Sequence, residues 1–203
     1  MPKIILVAIA TLCAIAGYLF YMKQQHAVPG PEVSPADSVV ATVAPAGPVQ
    51  VEFELGDLEG ELRSFDEWSD RHRIVNFWAT WCAPCRREIP LLKAFQDAHG
   101  ADGFQVIGIA VEFPEPVIAY AEKAQFNYPI LVGEQDAMAV AESSGISFVG
   151  LPFTMVVAKD GRLVGAHMGE IHQQHLDNIV DVMNKFEAGD LDISQAKQQL
   201  DLL

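Results

Sequence analysis

Hydrophobic and polar positions change period several times along this chain, and each change marks an element. From Ile4 to Met22 no residue carries a formal charge, and Lys3 and Lys23 flank the run. At about 1.5 Å per helical residue it is long enough to cross most or all of a bilayer core. Tyr18, Phe20 and Tyr21 gather at its C-terminal end, where aromatic rings suit the membrane interface. No small-residue cleavage motif follows closely, and Leu12 before Cys13 disfavours a lipoprotein cleavage site. Residues 1–23 therefore read as an uncleaved transmembrane signal-anchor rather than a removed signal peptide. Residues 24–48 carry Pro29, Pro31, Pro35, Pro45 and Pro48 with few large apolar side chains, the composition of an extended Pro/Ala-rich linker.

From Val49 the periods become those of a globular domain. Val51 to Leu55 alternates and Asp57-Leu58-Glu59-Gly60 turns, which predicts an opening hairpin. Ile74 to Ala79 is a continuous apolar run, the mark of a buried central strand. A helix is predicted from Cys82 to His99 with Gly100 ending it, then a strand from Phe104 to Val111. Pro116 fits the first turn of a helix ending near Gln125. Tyr128 to Val132 predicts a short strand and Asp136 to Ser143 a short helix. Phe153 to Ala158 and Arg162 to Ala166 flank an Asp160-Gly161 turn and predict a hairpin. Ile171 to Phe186 is helical, with Leu176, Ile179, Val180 and Met183 on one face. Strands alternating with helices, then a hairpin and a helix, predict an α/β sandwich over residues 49–188. Residues 189–203 form a short terminal helix or tail, capped by Asp192 or Ser194.

Charge narrows the partners. The chain has 27 acidic and 13 basic side chains, a net charge of −14. Before Val49, Lys3 and Lys23 cancel Glu32 and Asp37, so the segment from Val49 onward carries all of it. Such a body repels phosphate backbones, which argues against nucleic acid as a partner. The three cysteines are Cys13, Cys82 and Cys85. With Cys13 in the apolar run, too few remain for a disulfide scaffold or a four-cysteine zinc site. One redox-active pair fits better. The amino terminus and Lys3 favour a cytoplasmic start, with the body beyond the membrane. That compartment tolerates disulfides.

The pair stands in Trp81-Cys82-Ala83-Pro84-Cys85, between the central strand and a helix start. A helix N-terminus carries roughly +0.5 charge and free N–H groups, which stabilise a thiolate on Cys82. Cys85, one turn further in, is shielded and placed to resolve a mixed disulfide. Pro84 fits the first turn, where its missing N–H would be unpaired anyway. Pro90 falls inside the helix and predicts a kink. Glu88 lies three residues beyond Cys85 on nearly the same helical face, where a carboxylate can exchange a proton with the thiol. A solvent-facing glutamate is the competing reading. Trp78 reads as core, and Trp81 as part of a docking surface.

The stretch Asn76-Phe77-Trp78-Ala79-Thr80-Trp81-Cys82-Ala83-Pro84-Cys85-Arg86-Arg87-Glu88-Ile89-Pro90 resembles the active-site segment of the thioredoxin superfamily. It is most similar to the TlpA/ResA-like branch of extracytoplasmic thiol–disulfide oxidoreductases, which includes the reductases of cytochrome c maturation. The resemblance covers roughly Val49 to Phe186. It implies a thioredoxin-like three-layer α/β/α sandwich with a mixed central sheet, and a glutamate and a proline at the positions of Glu88 and Pro90. It also implies that Gly150-Leu151-Pro152-Phe153-Thr154 is a cis-proline loop facing the cysteines, with the Leu151 backbone free to pair with an extended substrate. Phe153 stands where the family often has threonine, which bears on substrate preference. Asn76 departs from thioredoxin itself, where an aspartate on this strand assists proton transfer. A neutral amide cannot be that base, which shifts the role toward Glu88. Glu112 is a second candidate, with a solvated strand-end acid as the simpler reading.

Function follows as expectation: a periplasmic, single-pass inner-membrane protein that reduces protein disulfides. Its electrons would come from a transmembrane thiol donor, its substrates would include apocytochrome c cysteines, and no cofactor is needed beyond the Cys82–Cys85 disulfide. A copper-binding chaperone-like module and a peroxiredoxin-like peroxidase are the alternatives. The first usually spaces its cysteines by three residues, and the second places its reactive cysteine in another loop. Arg86 and Arg87 either lower the Cys82 thiol pKa or are simply solvated. His172 and His175 read as surface side chains, since no further metal ligands stand near them in the sequence.

Overall fold

The computed structural model describes residues 49–145 and 148–200. The predicted membrane anchor and linker lie outside these residues. β1 (Glu54–Asp57) and β2 (Leu62–Ser64) make the opening hairpin, with Glu54 opposite Ser64. Its turn is tied by Asp57, whose Oδ1 accepts from the Glu59 and Glu61 N–H groups at 3.0 and 2.9 Å. The strand starts later than the alternation from Val51 suggests. The Val51 N–H instead donates to the Gly161 carbonyl at 2.9 Å, and Gln50 bridges to Arg162. Alternation reported burial correctly there but not the partner: Val51 and Leu55 are both core residues.

A short 3₁₀ helix (Phe65–Trp68), capped by Ser64, leads into β3 (His72–Trp78), buried along its whole length. α1 (Ala83–His99) follows, and it continues through Pro90. Next come β4 (Phe104–Val111), α2 (Pro114–Ala124), β5 (Ile130–Gly133) and α3 (Gln135–Ser143). β6 (Phe153–Val157) and β7 (Leu163–Met168) form the predicted hairpin, with Gly161 at φ 86° in its turn. That left-handed backbone is open to glycine at little cost. α4 (Gln173–Ala188) ends at Gly189, also left-handed at φ 80°. α5 (Ile193–Leu200) is capped by Asp192, whose Oδ1 accepts from the Ser194 and Gln195 N–H groups.

Among the described residues the strands form one seven-stranded mixed sheet, ordered β2-β1-β5-β4-β3-β6-β7. β3, β4 and β5 run parallel, and β1 and β6 flank them antiparallel. Period-two alternation sorts the core. Ile74, Trp78, Val106 and Val156 pack on one face against α1, α2, α4 and α5. Val75, Phe77, Ile107 and Met155 pack on the other against α3 and Phe65. Each large apolar side chain so buried contributes about 1.5–3 kcal/mol. Asn76 falls on the first face, toward α1. The C-terminal ends of the parallel strands, the start of β6 and the end of β7 share one edge of the sandwich, where open α/β sheets place their sites.

Candidate active site

Past Trp78 the chain leaves the sheet and turns immediately into α1. The Cys82 N–H donates to the Ala79 carbonyl at 3.1 Å, and Cys82 is the N-cap of the helix. Its Sγ accepts from the Cys85 N–H at 3.3 Å. Cys82 and Cys85 are joined as a disulfide, with Cα atoms 5.3 Å apart. Cys82 is 6% exposed and Cys85 fully buried, so of the pair only Cys82 reaches solvent. In the reduced protein, the same amide and the positive helix end would stabilise charge on Cys82. Trp81 is 68% exposed beside it, and Pro84 is half-buried in the first turn.

The loop before Cys82 is braced from the neighbouring strand. Glu112, just past β4, accepts from the Thr80 N–H with one carboxylate oxygen and from the Thr80 hydroxyl with the other at 2.9 Å. It is half-buried rather than a freely solvated strand-end acid, and both its oxygens hold the loop. The brace joins residues 32 apart, so local sequence reading has no signal for it.

Glu88 is 1% exposed, on the buried face of α1 one turn beyond Cys85. That excludes the solvent-facing reading. Its Oε1 accepts from Asn76 Nδ2 at 2.8 Å, and its Oε2 from the Ile171 N–H at 2.8 Å. Burial pushes its carboxyl up to about 7, while the two donors favour the charged form and pull the other way. The group is thereby poised to gain or lose a proton near neutrality. Tyr128, on the same face, has its hydroxyl pushed up by burial and by negative charge on Glu88.

Asn76 is the link that sequence reasoning missed. The reading treated it as a lost base, whereas the structure makes it the donor that holds Glu88. Its Nδ2 also donates to Thr154 Oγ1 at 3.1 Å, on the residue opposite it in β6. Ile171 was invisible as a site residue because it contributes a backbone N–H from 83 positions away.

The peptide bond between Leu151 and Pro152 is cis. Pro152 immediately precedes β6, where Phe153 pairs with Phe77, so the register puts it at the same end of β3 as the disulfide. Its carbonyl accepts from the Gly169 N–H at 2.9 Å, and Leu151 packs against both core faces. Trp81, Phe113, Val149 and Met168 are exposed large apolar side chains, each on a loop or strand end at this edge.

Arg86 is exposed. Arg87 reaches across to Glu170, Nε to Oε1 at 3.1 Å, and this pairing lowers the Glu170 carboxyl below its ordinary value. Of the two histidines read as surface side chains, His172 is exposed, but His175 is only 7% exposed, and His167 of β7 lies 4.4 Å from it, ring centre to ring centre. Among the described residues no group of three or more His, Cys, Asp or Glu is placed to hold a metal ion, and no helix is long and apolar enough to cross a membrane.

A mixed sheet between helical layers, with a CxxC disulfide at the helix that follows its central strand, defines a thioredoxin-like thiol–disulfide domain. The chain belongs to the AhpC/TSA family, whose model matches residues 46–166. It is 29% identical over 143 residues to the thiol-disulfide oxidoreductase ResA of Geobacillus thermodenitrificans, covering 68% of this chain and 80% of that protein. A thioredoxin-family thiol:disulfide interchange protein from Chlorobium tepidum superposes with a TM-score of 0.61 at 29% identity, covering 69% of this chain and 99% of the other. StoA from Bacillus subtilis shares the fold, with a TM-score of 0.53 at 20% identity over 65% of this chain and 98% of its own.

Proposed function

We propose that the protein is a thiol–disulfide oxidoreductase that reduces protein disulfides through Cys82 and Cys85, with Glu88 as the proton carrier of the buried cysteine. The observation that carries this reading is the carboxyl group buried one turn below an oxidised CxxC pair, held by two donors and pushed up to about 7. The ResA name of the relatives supports the same chemistry.

In the reduced enzyme, the Cys82 thiolate attacks a substrate disulfide, forming a mixed disulfide and releasing one substrate thiolate. Glu88, as carboxylate, takes the proton from Cys85. The Cys85 thiolate then attacks Cys82 Sγ, re-forms the Cys82–Cys85 disulfide and releases the second substrate thiolate. Two electrons pass to the substrate, and its two thiolates take up two protons. A dithiol donor reverses the sequence on the enzyme, and protonated Glu88 returns its proton to Cys85. No cofactor beyond the disulfide is needed. Glu112 and Asn76 act by position, one on the loop of Cys82 and the other on Glu88.

Substrate would lie against Trp81, Pro84, Leu151 and Pro152. The apolar side chains exposed at this edge suit a protein chain more than a small polar molecule. The uncharged run Ile4–Met22 would anchor the chain singly in a bacterial inner membrane, placing the domain in the periplasm. There a transmembrane thiol carrier would supply electrons, and the cysteines of apocytochrome c are the substrate class the resemblance favours. Reduction of insulin or a model peptide disulfide by the full chain tests the reading. The wild type should turn over with a dithiol donor and Cys82→Ser should not; equal rates would refute it.

A further inference from the structure

The segment that holds Glu88 is itself clamped by histidines. Between β7 and α4 the chain runs Gly169-Glu170-Ile171-His172, and the Ile171 N–H reaches the Glu88 carboxylate. At the start of α4, the His172 N–H donates to Nδ1 of His175 at 3.1 Å. An imidazole nitrogen that accepts a hydrogen bond carries no proton, so His175 is neutral in this arrangement. We propose that His175 is a pH-sensitive latch and a positioning residue: its neutral ring keeps the Ile171 N–H on Glu88, and its protonation releases that strap.

Four features oppose a charge on His175. The ring is almost wholly buried, and His167 of β7 lies 4.4 Å away. The His172 ring lies 5.4 Å away. The ring also occupies the first turn of α4, the positive end of the helix dipole. Among the described residues no carboxylate compensates, because Glu170 of the strap is taken by Arg87 of α1, and Glu88 of α1 is held by Asn76 and Ile171. Burial and the two neighbouring histidines accordingly hold the His175 pKa below its ordinary 6.5. Once protonated, Nδ1–H would face the His172 N–H, donor against donor. The side-chain cap at the start of the helix is lost, and the residue beside it, Ile171, is the one that bonds Glu88.

The consequence rests on the role proposed for Glu88. Its hydrogen bond from Ile171 favours the charged carboxylate, so releasing the strap makes Glu88 keep its proton. Acid then removes the base of Cys85 in two linked steps. The rate of mixed-disulfide resolution should fall more steeply than a slope of one against pH where the two groups titrate together.

The test uses the full chain in detergent micelles. First, the His175 ring and the Ile171 amide are followed by NMR from neutral to acid pH in the wild type. The Ile171 signal should move with the His175 ring; an Ile171 signal indifferent to that titration overturns the latch. Second, resolution of a preformed Cys82 mixed disulfide is timed across the same range. His175→Asn, whose Oδ1 can accept from the His172 N–H but cannot take a proton, should reduce the acid slope to about one. An unchanged slope also overturns the latch, and if the variant fails to fold the wild-type titration decides. Glu88→Gln separates the two readings. Were it to keep the wild-type resolution profile, the Glu88 role would fail, while Ile171 moving with His175 would still sustain the latch.

Discussion

β3 ends in two polar regions that are buried to a similar degree and built differently. Toward the disulfide, Asn76 donates to both Glu88 and Thr154, and each oxygen of Glu88 has its own donor. At the far end, His72 bonds Glu187 through Nε2 at 3.1 Å, yet its Nδ1 is buried with no hydrogen-bond partner among the described residues. Arg73 beside it donates to the Ala158 carbonyl and lies 4.4 Å over the Phe65 ring, and its Nε is likewise unpartnered. Burial lowers the pKa of both His72 and Arg73, disfavouring their charged forms. Burial of a charge alone therefore does not mark a reactive group. At the active end, burial is opposed by donors matched to the carboxylate, and the balance falls near neutral pH. At the far end, burial is opposed only in part, and the result is a stability cost with no chemistry attached.

Substitutions at the two ends should separate activity from stability. The largest effect belongs to Cys82→Ser, which should abolish turnover in an insulin-reduction assay while leaving the melting transition close to that of the reduced wild type. Glu88→Gln comes next. It should slow resolution of the mixed disulfide about hundredfold at neutral pH, measured by stopped-flow release of a labelled peptide thiol. It should also change stability in the opposite sense. Because burial raises the Glu88 carboxyl from 4.5 to about 7, the folded state holds this proton more tightly than the unfolded chain. Stability from this group is present below about pH 4.5 and falls by about 3 kcal/mol as pH rises to about 7. Urea unfolding across that range should show the decline in the wild type and lose it in the variant.

Trp81→Ala should raise KM for a protein disulfide roughly tenfold, about 1.4 kcal/mol, with little change toward a small disulfide. An equal loss on both substrates would move Trp81 from docking to structure. The smallest effect is expected at the far end. Arg73→Met should leave activity intact and keep stability within about 1 kcal/mol of the wild type or above it, because the substitution removes an incompletely paired buried charge. The Ala158 carbonyl keeps the Gly161 N–H at 3.0 Å in any case. A large destabilisation in urea would mean that the stacking on Phe65 outweighs the buried charge.

What could be read from the sequence was whatever is local. Cys82, Pro84, Cys85 and Glu88 lie within two helical turns, so their common helix start, and the shared face of Cys85 and Glu88, follow from periodicity alone. The strand before them, the helix after them and the β6–β7 hairpin also follow from short-range patterns. What could not be read depends on long-range register. Thr154 meets Asn76 only because β6 pairs with β3, and Glu112 meets Thr80 only because β4 lies beside β3. The alternating Val51–Leu55 segment showed burial but not its pairing to the β6–β7 turn. Ile171 acts through its backbone, which has no residue-type signature. His175 gave a surface reading because its neighbour His167 comes from β7 rather than from its own helix.

The central claim is that Glu88 carries the proton of Cys85, and its most direct test is the pH dependence of resolution in the preformed Cys82 mixed disulfide. The wild-type rate should rise through an inflection near pH 7 as Glu88 becomes a carboxylate, and Glu88→Gln should lose that inflection. The same inflection in both proteins would contradict the account.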